Sequence, residues 1–140
     1  MSDSGRREVR VERISTGRYR ATNPRGGTLS TGTGEDADFT PVELLLTALA
    51  ACSAVDVDLI TSRRAEPEAF SVEAAGEKVR DEHGNHLTDL ALDYDITFPE
   101  GTAGDDARAE LPRSVTRSHD RLCTVSRTVE LGTPVSTRIT

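Results

Sequence analysis

The sequence predicts an α+β fold in a single domain. Three features carry that expectation: a run of about twenty apolar or small residues opened by a helix-start signal, two adjacent segments with strand periodicity around a Gly-containing turn, and a length of 140 residues, enough for one core of ordinary size. Residues 1–7 are polar and expected to be disordered, leaving residues 8–140 as the domain.

Taken in order, Val9, Val11 and Ile14 and then Arg18–Thr22 alternate enough to form short strands. The stretch from Asn23 to Phe39 is rich in Gly, Thr and Asp and reads as turns around a short strand near Thr28–Thr31. Thr40, Pro41 and Glu43 then stand where an N-cap, an N1 proline and the acid of a capping box belong, so a helix begins here and runs to Ser62 or Arg64. Its first two-thirds carry apolar or small side chains on every face, which predicts burial all round. So small a chain cannot surround a helix alone, and a second copy is the natural cover. A homodimer follows, with Leu45, Leu46 and Leu49 in the buried layer.

Beyond Pro67, Phe70–Val79 and Leu87–Phe98 alternate around the turn Asp81–Asn85 and predict an antiparallel hairpin. Gly101 and Thr102 open a second helical stretch to about Leu122, in which Pro112 either kinks the helix or starts its second half. The run Thr124–Leu131, the turn Gly132-Thr133-Pro134 and a last strand Val135–Ile139 close the chain.

The charge excludes several classes of partner. With 17 Lys+Arg against 24 Asp+Glu, the formal net charge is −7. Duplex nucleic acid and anionic membranes both demand a basic footprint, so neither is expected. No stretch is read as approaching the ~20 apolar residues of a membrane span, and the first ten residues lack the apolar segment of a signal peptide. A cytoplasmic protein is expected. Lys78 is the only lysine among those 17 cations, a bias that fits a GC-rich bacterial genome.

Two cysteines, Cys52 and Cys123, are too few for a secreted disulfide scaffold. Cys52 lies mid-helix among Ala50, Ala51, Ser53 and Ala54, which leave room at its sulfur. A mid-helix thiol gains nothing from the helix N-terminus, and Asp56 one turn on would raise its pKa. Cys123 stands between a helix ending at Leu122 and the run from Thr124, an N-cap position that would aim backbone N–H groups at its sulfur. Arg121 and Arg127 add nearby positive charge. Local physics therefore makes Cys123 the more acidic thiol, while plain packing remains open for both. Metal alternatives are His119 with Cys123, spaced i,i+4, and His83 with His86 beside Asp81 and Glu82; neither is accompanied by a matching set of further ligands. The segment GGTLSTGTGED lacks the Gly-Lys-Ser/Thr ending of a phosphate loop.

Two motifs stand about 70 residues apart: Pro41-x-Glu-Leu-Leu-Leu-(x)5-Cys52, and Ser118-His-x-x-x-Cys123-x-Val-Ser-Arg-Thr128. With the order of strands, central helix, hairpin, second helix and final strand, they make the chain from about Val9 onward resemble the OsmC/Ohr family of thiol-dependent hydroperoxide reductases. The resemblance implies an OsmC-like fold, with antiparallel sheets around a long central helix, and an intertwined homodimer with both active sites at the interface. It further implies that Cys52 is the peroxidatic thiol and Cys123 its resolving partner, the reverse of the local acidity ranking. An arginine from the N-terminal strands, Arg18 or Arg20 and by preference Arg18, would reconcile the two by reaching Cys52. The expected substrates are organic hydroperoxides, the expected partner a thiol reductant, and no metal or organic cofactor is required.

One position departs from the family pattern. Hydroperoxide-reducing members carry a glutamate directly after the proline, where this chain has Val42, and the acid is displaced to Glu43. At about 100° per residue, nine steps put Glu43 roughly opposite Cys52 on the helix. Glu43 then reads as the capping acid. The alternative function this motivates is a non-peroxidase OsmC-like dimer that binds a small apolar ligand in its interface pocket.

Overall fold

The computed structural model describes residues 5–140. Residues 1–4 of the segment expected to be disordered lie outside the described residues, and residues 5–9 carry no regular structure. The chain divides into two compact units, one ending at Leu45 and one spanning Leu46–Thr140.

The N-terminal unit is an antiparallel sheet of β1 (Arg10–Ser15), β2 (Arg18–Thr22) and β3 (Thr28–Gly32), in that order across the sheet. A β-bulge sits between Arg13 and Ser15 next to the tight turn at Gly17, whose φ of 73° lies in the left-handed region that favours glycine. β1 is exposed along its length, with Val11 and Ile14 open to solvent. After β3, Thr31 Oγ1 donates to the Phe39 carbonyl at 2.6 Å and the Gly32 N–H reaches the same carbonyl at 3.2 Å. These bonds bring the loop round to Thr40.

Helix α1 (Pro41–Thr61) begins as the capping box requires. The Glu43 N–H donates to Thr40 Oγ1 at 3.2 Å, and Glu43 Oε1 accepts from the Thr40 N–H at 2.8 Å. Such a cap contributes about 1 kcal/mol to a helix start. Burial of the helix is not all-round, contrary to the expectation above. Leu49, Ser53, Val57 and Thr61, one residue per turn, form a buried stripe, whereas Leu45, Val55 and Leu59 are exposed. Of the predicted buried leucines, Leu49 is buried, Leu46 half-buried and Leu45 exposed. One chain has too few elements to cover more than one face of an apolar helix. By length and composition α1 is also apolar enough to cross a membrane, which corrects the expectation that no stretch would be. Its buried stripe is half polar, Ser53 and Thr61, as suits a core helix rather than a lipid-facing one.

The hairpin forms as predicted, from β4 (Ala69–Asp81) and β5 (Gly84–Thr97), turning at Glu82-His83. Phe70, Val72 and Ala74 are half-buried on one strand, Leu92, Tyr94 and Ile96 on the other. A bulge between Ala75 and Glu77, opposite Asp89 at φ 55°, shifts the alternation by one so that Val79 is half-buried too. Phe98 at the hairpin's end is buried.

Helix α2 (Thr102–Arg117) runs through Pro112 without a break in assignment. Gly104 lies so close to the Pro99 carbonyl that a Cβ there would collide with it, which fixes glycine at this position. The chain then makes a π-helical turn, Ser118–Leu122, where sequence alone predicted continued helix, and Cys123 caps α3 (Thr124–Leu131). Gly132, at φ 63°, ends α3 in the left-handed conformation. The last strand, Val135–Ile139, does not form: residues 133–140 carry no regular structure, and Val135 and Ile139 are exposed. A period-two pattern specifies which face is apolar but supplies no neighbour, and among the described residues no strand pairs with the segment.

Candidate active site

Cys52 is carried on the middle of α1, one residue before buried Ser53 and three after buried Leu49. Cys123 is fully buried at the N-cap of α3. The fold brings the two free thiols together, close enough for each to shift the other's protonation. This is the meeting that the family resemblance implies.

The start of α3 serves both sulfurs. The Ser126 N–H donates to Cys123 Sγ at 3.4 Å and the Ser126 hydroxyl also bonds it, while the Val125 N–H is directed at Cys52. The proton nevertheless favours one side. Burial pushes the Cys52 thiol up and outweighs the Val125 N–H, with Cys123 and the Asp56 charge adding to the rise. Burial also presses Cys123 upward and Asp56 adds to it, but the Ser126 hydroxyl and N–H, with the Cys52 thiol, reverse the outcome and leave Cys123 lowered. Cys52 thus donates to Cys123, and the first thiolate of the isolated pair sits on the buried sulfur. The acidity ranking read from sequence holds in the fold.

Beside the pair runs a set of hydroxyls, buried on Ser53 and Ser118 and half-buried on Tyr94, that sequence reasoning did not assemble. Ser53 Oγ is bonded to the Tyr94 hydroxyl from β5. Ser118, at the start of the π-turn, places its Oγ 3.2 Å from Ser53 Oγ and donates to Asp56 Oδ2 at 2.8 Å. The available signal was a lone acid one turn beyond Cys52 on an apolar helix.

The other sequence candidates make contacts of their own. Arg18, in the N-terminal unit, is paired with both Asp36 and Asp38. His119 does not turn toward Cys123. Its Nδ1 contacts Asp120 at 2.9 Å and its Nε2 contacts Glu130 at 2.8 Å, so both ring nitrogens are occupied by carboxylates. Those two hydrogen bonds raise its pKa above 6.5.

A cleft of about 440 Å³ adjoins the site, walled by Leu49, Leu90, Leu92, Tyr94, Val129 and the same Ser126 that binds Cys123, and bordered as well by His119, Asp120 and Glu130. A larger hollow of about 550 Å³, beside Pro112, Arg113, Arg117 and Arg121, is lined by none of the residues that touch either sulfur.

The family model for OsmC-like protein matches residues 32–138. The chain belongs to the OsmC-like protein family. An uncharacterized protein of Mycobacterium tuberculosis is 33% identical over 132 residues, covering 92% of this chain and 93% of that protein. Among solved structures, an OsmC-like protein of unknown function from Vibrio cholerae superposes with a TM-score of 0.73 at 14% identity, over 91% of this chain and 95% of that one. An organic hydroperoxide resistance protein OsmC from Legionella pneumophila gives a TM-score of 0.62 at 18% identity, over 91% of each chain. The three-helix architecture with antiparallel sheets is therefore the OsmC-like fold.

Proposed function

We propose that this OsmC-like protein is a thiol-dependent peroxidase that reduces organic hydroperoxides with Cys52 and Cys123. The carrying observation is the contact of two free thiols at the start of α3, with an amide N–H for each sulfur. Cys52 is part-exposed and Cys123 fully buried, so an incoming peroxide meets Cys52 first.

In the first step Cys52 Sγ attacks a peroxide oxygen. The S–O bond forms, the O–O bond breaks, and the alkoxide leaves as alcohol with the thiol proton, so Cys52 is oxidised to sulfenic acid as the peroxide is reduced. Cys123 thiolate then attacks Cys52 Sγ, forming the S–S bond and expelling hydroxide. A dithiol or protein thiol returns the pair to its reduced state by exchange. The electrons come from the two thiols, which is why no cofactor enters the cycle. The mainly apolar wall of the adjoining cleft favours an organic peroxide over hydrogen peroxide.

The cation for the Cys52 thiolate is assigned to Arg18. Its present ion pairs are on half-exposed groups, and such pairs are worth only about 0–1 kcal/mol, so exchanging them for a thiolate is cheap. The exposed Leu45, Val55 and Leu59 of α1 support a homodimer, and the reading takes residues 8–140 as one cytoplasmic domain. The competing reading, a dimer that binds a small apolar ligand without turnover, draws on Glu43 serving in the helix cap and Arg18 serving Asp36 and Asp38.

Cumene hydroperoxide consumption with dithiothreitol decides between them. Wild type should turn over, and Cys52→Ser should lose at least about a hundredfold of the rate. Equal rates in the two proteins would sink the peroxidase reading. No turnover in wild type, with a Cys52 pKa well above 8.5, would favour the ligand-binding dimer.

A further inference from the structure

Asp56 interrupts the apolar and small residues of α1 one turn after Cys52. It is half-buried on a helix whose other acids are the capping Glu43 and the exposed Asp58. Among the described residues it has no cation within ion-pair distance, and it accepts the Ser118 hydroxyl at 2.8 Å. A half-buried carboxylate held by a neutral hydroxyl contributes little net stability, and an apolar side chain would continue the surrounding pattern.

The partner explains the position. Ser118 is fully buried and opens the π-turn, and its backbone carbonyl accepts the Cys123 N–H at 2.8 Å. One side chain thus ties α1, four residues after Cys52, to the turn that delivers Cys123. The hydroxyls also acquire a direction. Each carries one proton, so with the Ser118 proton on Asp56, the contact between Ser118 and Ser53 must be donated by Ser53, and that between Ser53 and Tyr94 by Tyr94. The chain from Tyr94 through Ser53 and Ser118 is fully satisfied only if it ends on an acceptor, and Asp56 is that acceptor. π-turns are uncommon and concentrate at functional positions. Here the turn has a specific task, because a regular helical continuation would carry Cys123 to a different place around the axis.

We propose that Asp56, acting through Ser118, is the positioning residue that holds Cys123 in register with Cys52. For its purpose the inference rests on the proposed thiol cycle: sulfenic acid on Cys52 is resolved only if Cys123 is already within reach, without a search by the turn. Neither Asp56 nor Ser118 touches the peroxide.

The test reads the thiol pair without peroxide. The reduced protein is equilibrated with glutathione and glutathione disulfide, and the Cys52–Cys123 disulfide is quantified by mass spectrometry to give an effective concentration for the pair. Ser118→Ala and Asp56→Ala should each lower it by roughly ten- to a hundredfold, the strength of a hydrogen bond to a charged group. Ser118→Thr, which keeps the hydroxyl, should stay within about threefold of wild type, and Asp56→Asn, which keeps an acceptor oxygen without the charge, should fall between wild type and Asp56→Ala. The double variant Asp56→Ala/Ser118→Ala should be no worse than the poorer single, because both remove one link. Circular dichroism establishes that each variant is folded. An effective concentration in Ser118→Ala within about twofold of wild type, or losses that add in the double variant, would overturn the proposal. Peroxide consumption is measured separately, so a protein that shows this coupling but consumes no peroxide retains the positioning role and loses only the peroxidase reading.

Discussion

The middle of α1 and the start of α3 each present a cysteine to the same small space, and they treat it in opposite ways. On α1 the backbone N–H groups around Cys52 belong to the helix itself, so its sulfur depends on a single N–H borrowed from Val125 and feels Asp56 one turn away. At the start of α3 the N–H groups are unpaired by necessity, and Cys123 takes the capping place with Ser126 at 3.4 Å. The same side chain is thus pushed up in one setting and down in the other. Thiol acidity here is a property of backbone position. The arrangement also separates acidity from access, since the more acidic sulfur is the buried one.

That separation is broken most severely by removing one sulfur at a time. Cys123→Ser should consume about one equivalent of peroxide to leave Cys52 as sulfenic acid, and a second equivalent should carry it to sulfinic acid, both of which mass spectrometry during a peroxide titration would show. Disulfide formation in wild type, seen as a loss of two hydrogens with both thiols blocked, needs alpha carbons about 4.4–6.8 Å apart. The closed loop of about 70 residues should stabilise the oxidised protein by up to about 4 kcal/mol from chain entropy, with strain reducing this. Calorimetry should therefore find a higher, reversible Tm after oxidation. A lower Tm would mean that the two settings cannot be bridged without distortion. A subtler variant sharpens the contrast: Cys123→Ala removes the acceptor that raises Cys52 and should lower the Cys52 pKa, while Cys52→Ala removes a donor and should raise that of Cys123. Iodoacetamide labelling against pH reads both, and shifts of the same sign would contradict the shared hydrogen bond.

Much of this site was legible because its determinants are local. The Thr40–Glu43 cap, the N-cap place of Cys123 and the hairpin alternation each depend on residues within a few positions of one another, and all appear in the fold. What was not legible joins distant segments. The link from Asp56 to Ser118 spans 62 positions, and no periodicity marks it. The occupation of Arg18 by Asp36 and Asp38 depends on how the loop after β3 returns toward β2. The face of α1 was misjudged for a related reason. An apolar helix announces how much surface it wants covered, while the number of layers available in one chain decides how much is. The exposed side of α1 is accordingly where a charge tests oligomerisation: Leu59→Asp should leave the single chain folded and dissociate a dimer in sedimentation, whereas Leu49→Asp, in the buried stripe, should prevent folding.

The smallest expected effect concerns the π-turn that separates the two thiol settings. His119 belongs to that turn, and its contacts with Asp120 and with Glu130 near the end of α3 pin the turn to the helix that Cys123 begins. The hydrogen bonds to Asp120 and then Glu130 raise its pKa, so the folded state holds the proton more tightly than the unfolded chain does. For a raised cationic group the resulting stability is fully present below the unfolded value of 6.5 and is lost as pH rises through the higher folded value. The imidazole is more than half exposed, so water screens much of the gain and the effect should be slight. Thermal melts should accordingly show wild type slightly more stable relative to His119→Gln at pH 6 than at pH 8. Cys123 labelling should follow the same trend if the pin matters to the site, with His119→Gln reacting faster at pH 6 and indistinguishably at pH 8. An unchanged difference across that range would show that the imidazolium does not hold the turn, and that the Asp56–Ser118 link holds Cys123 in place without help from the outer face.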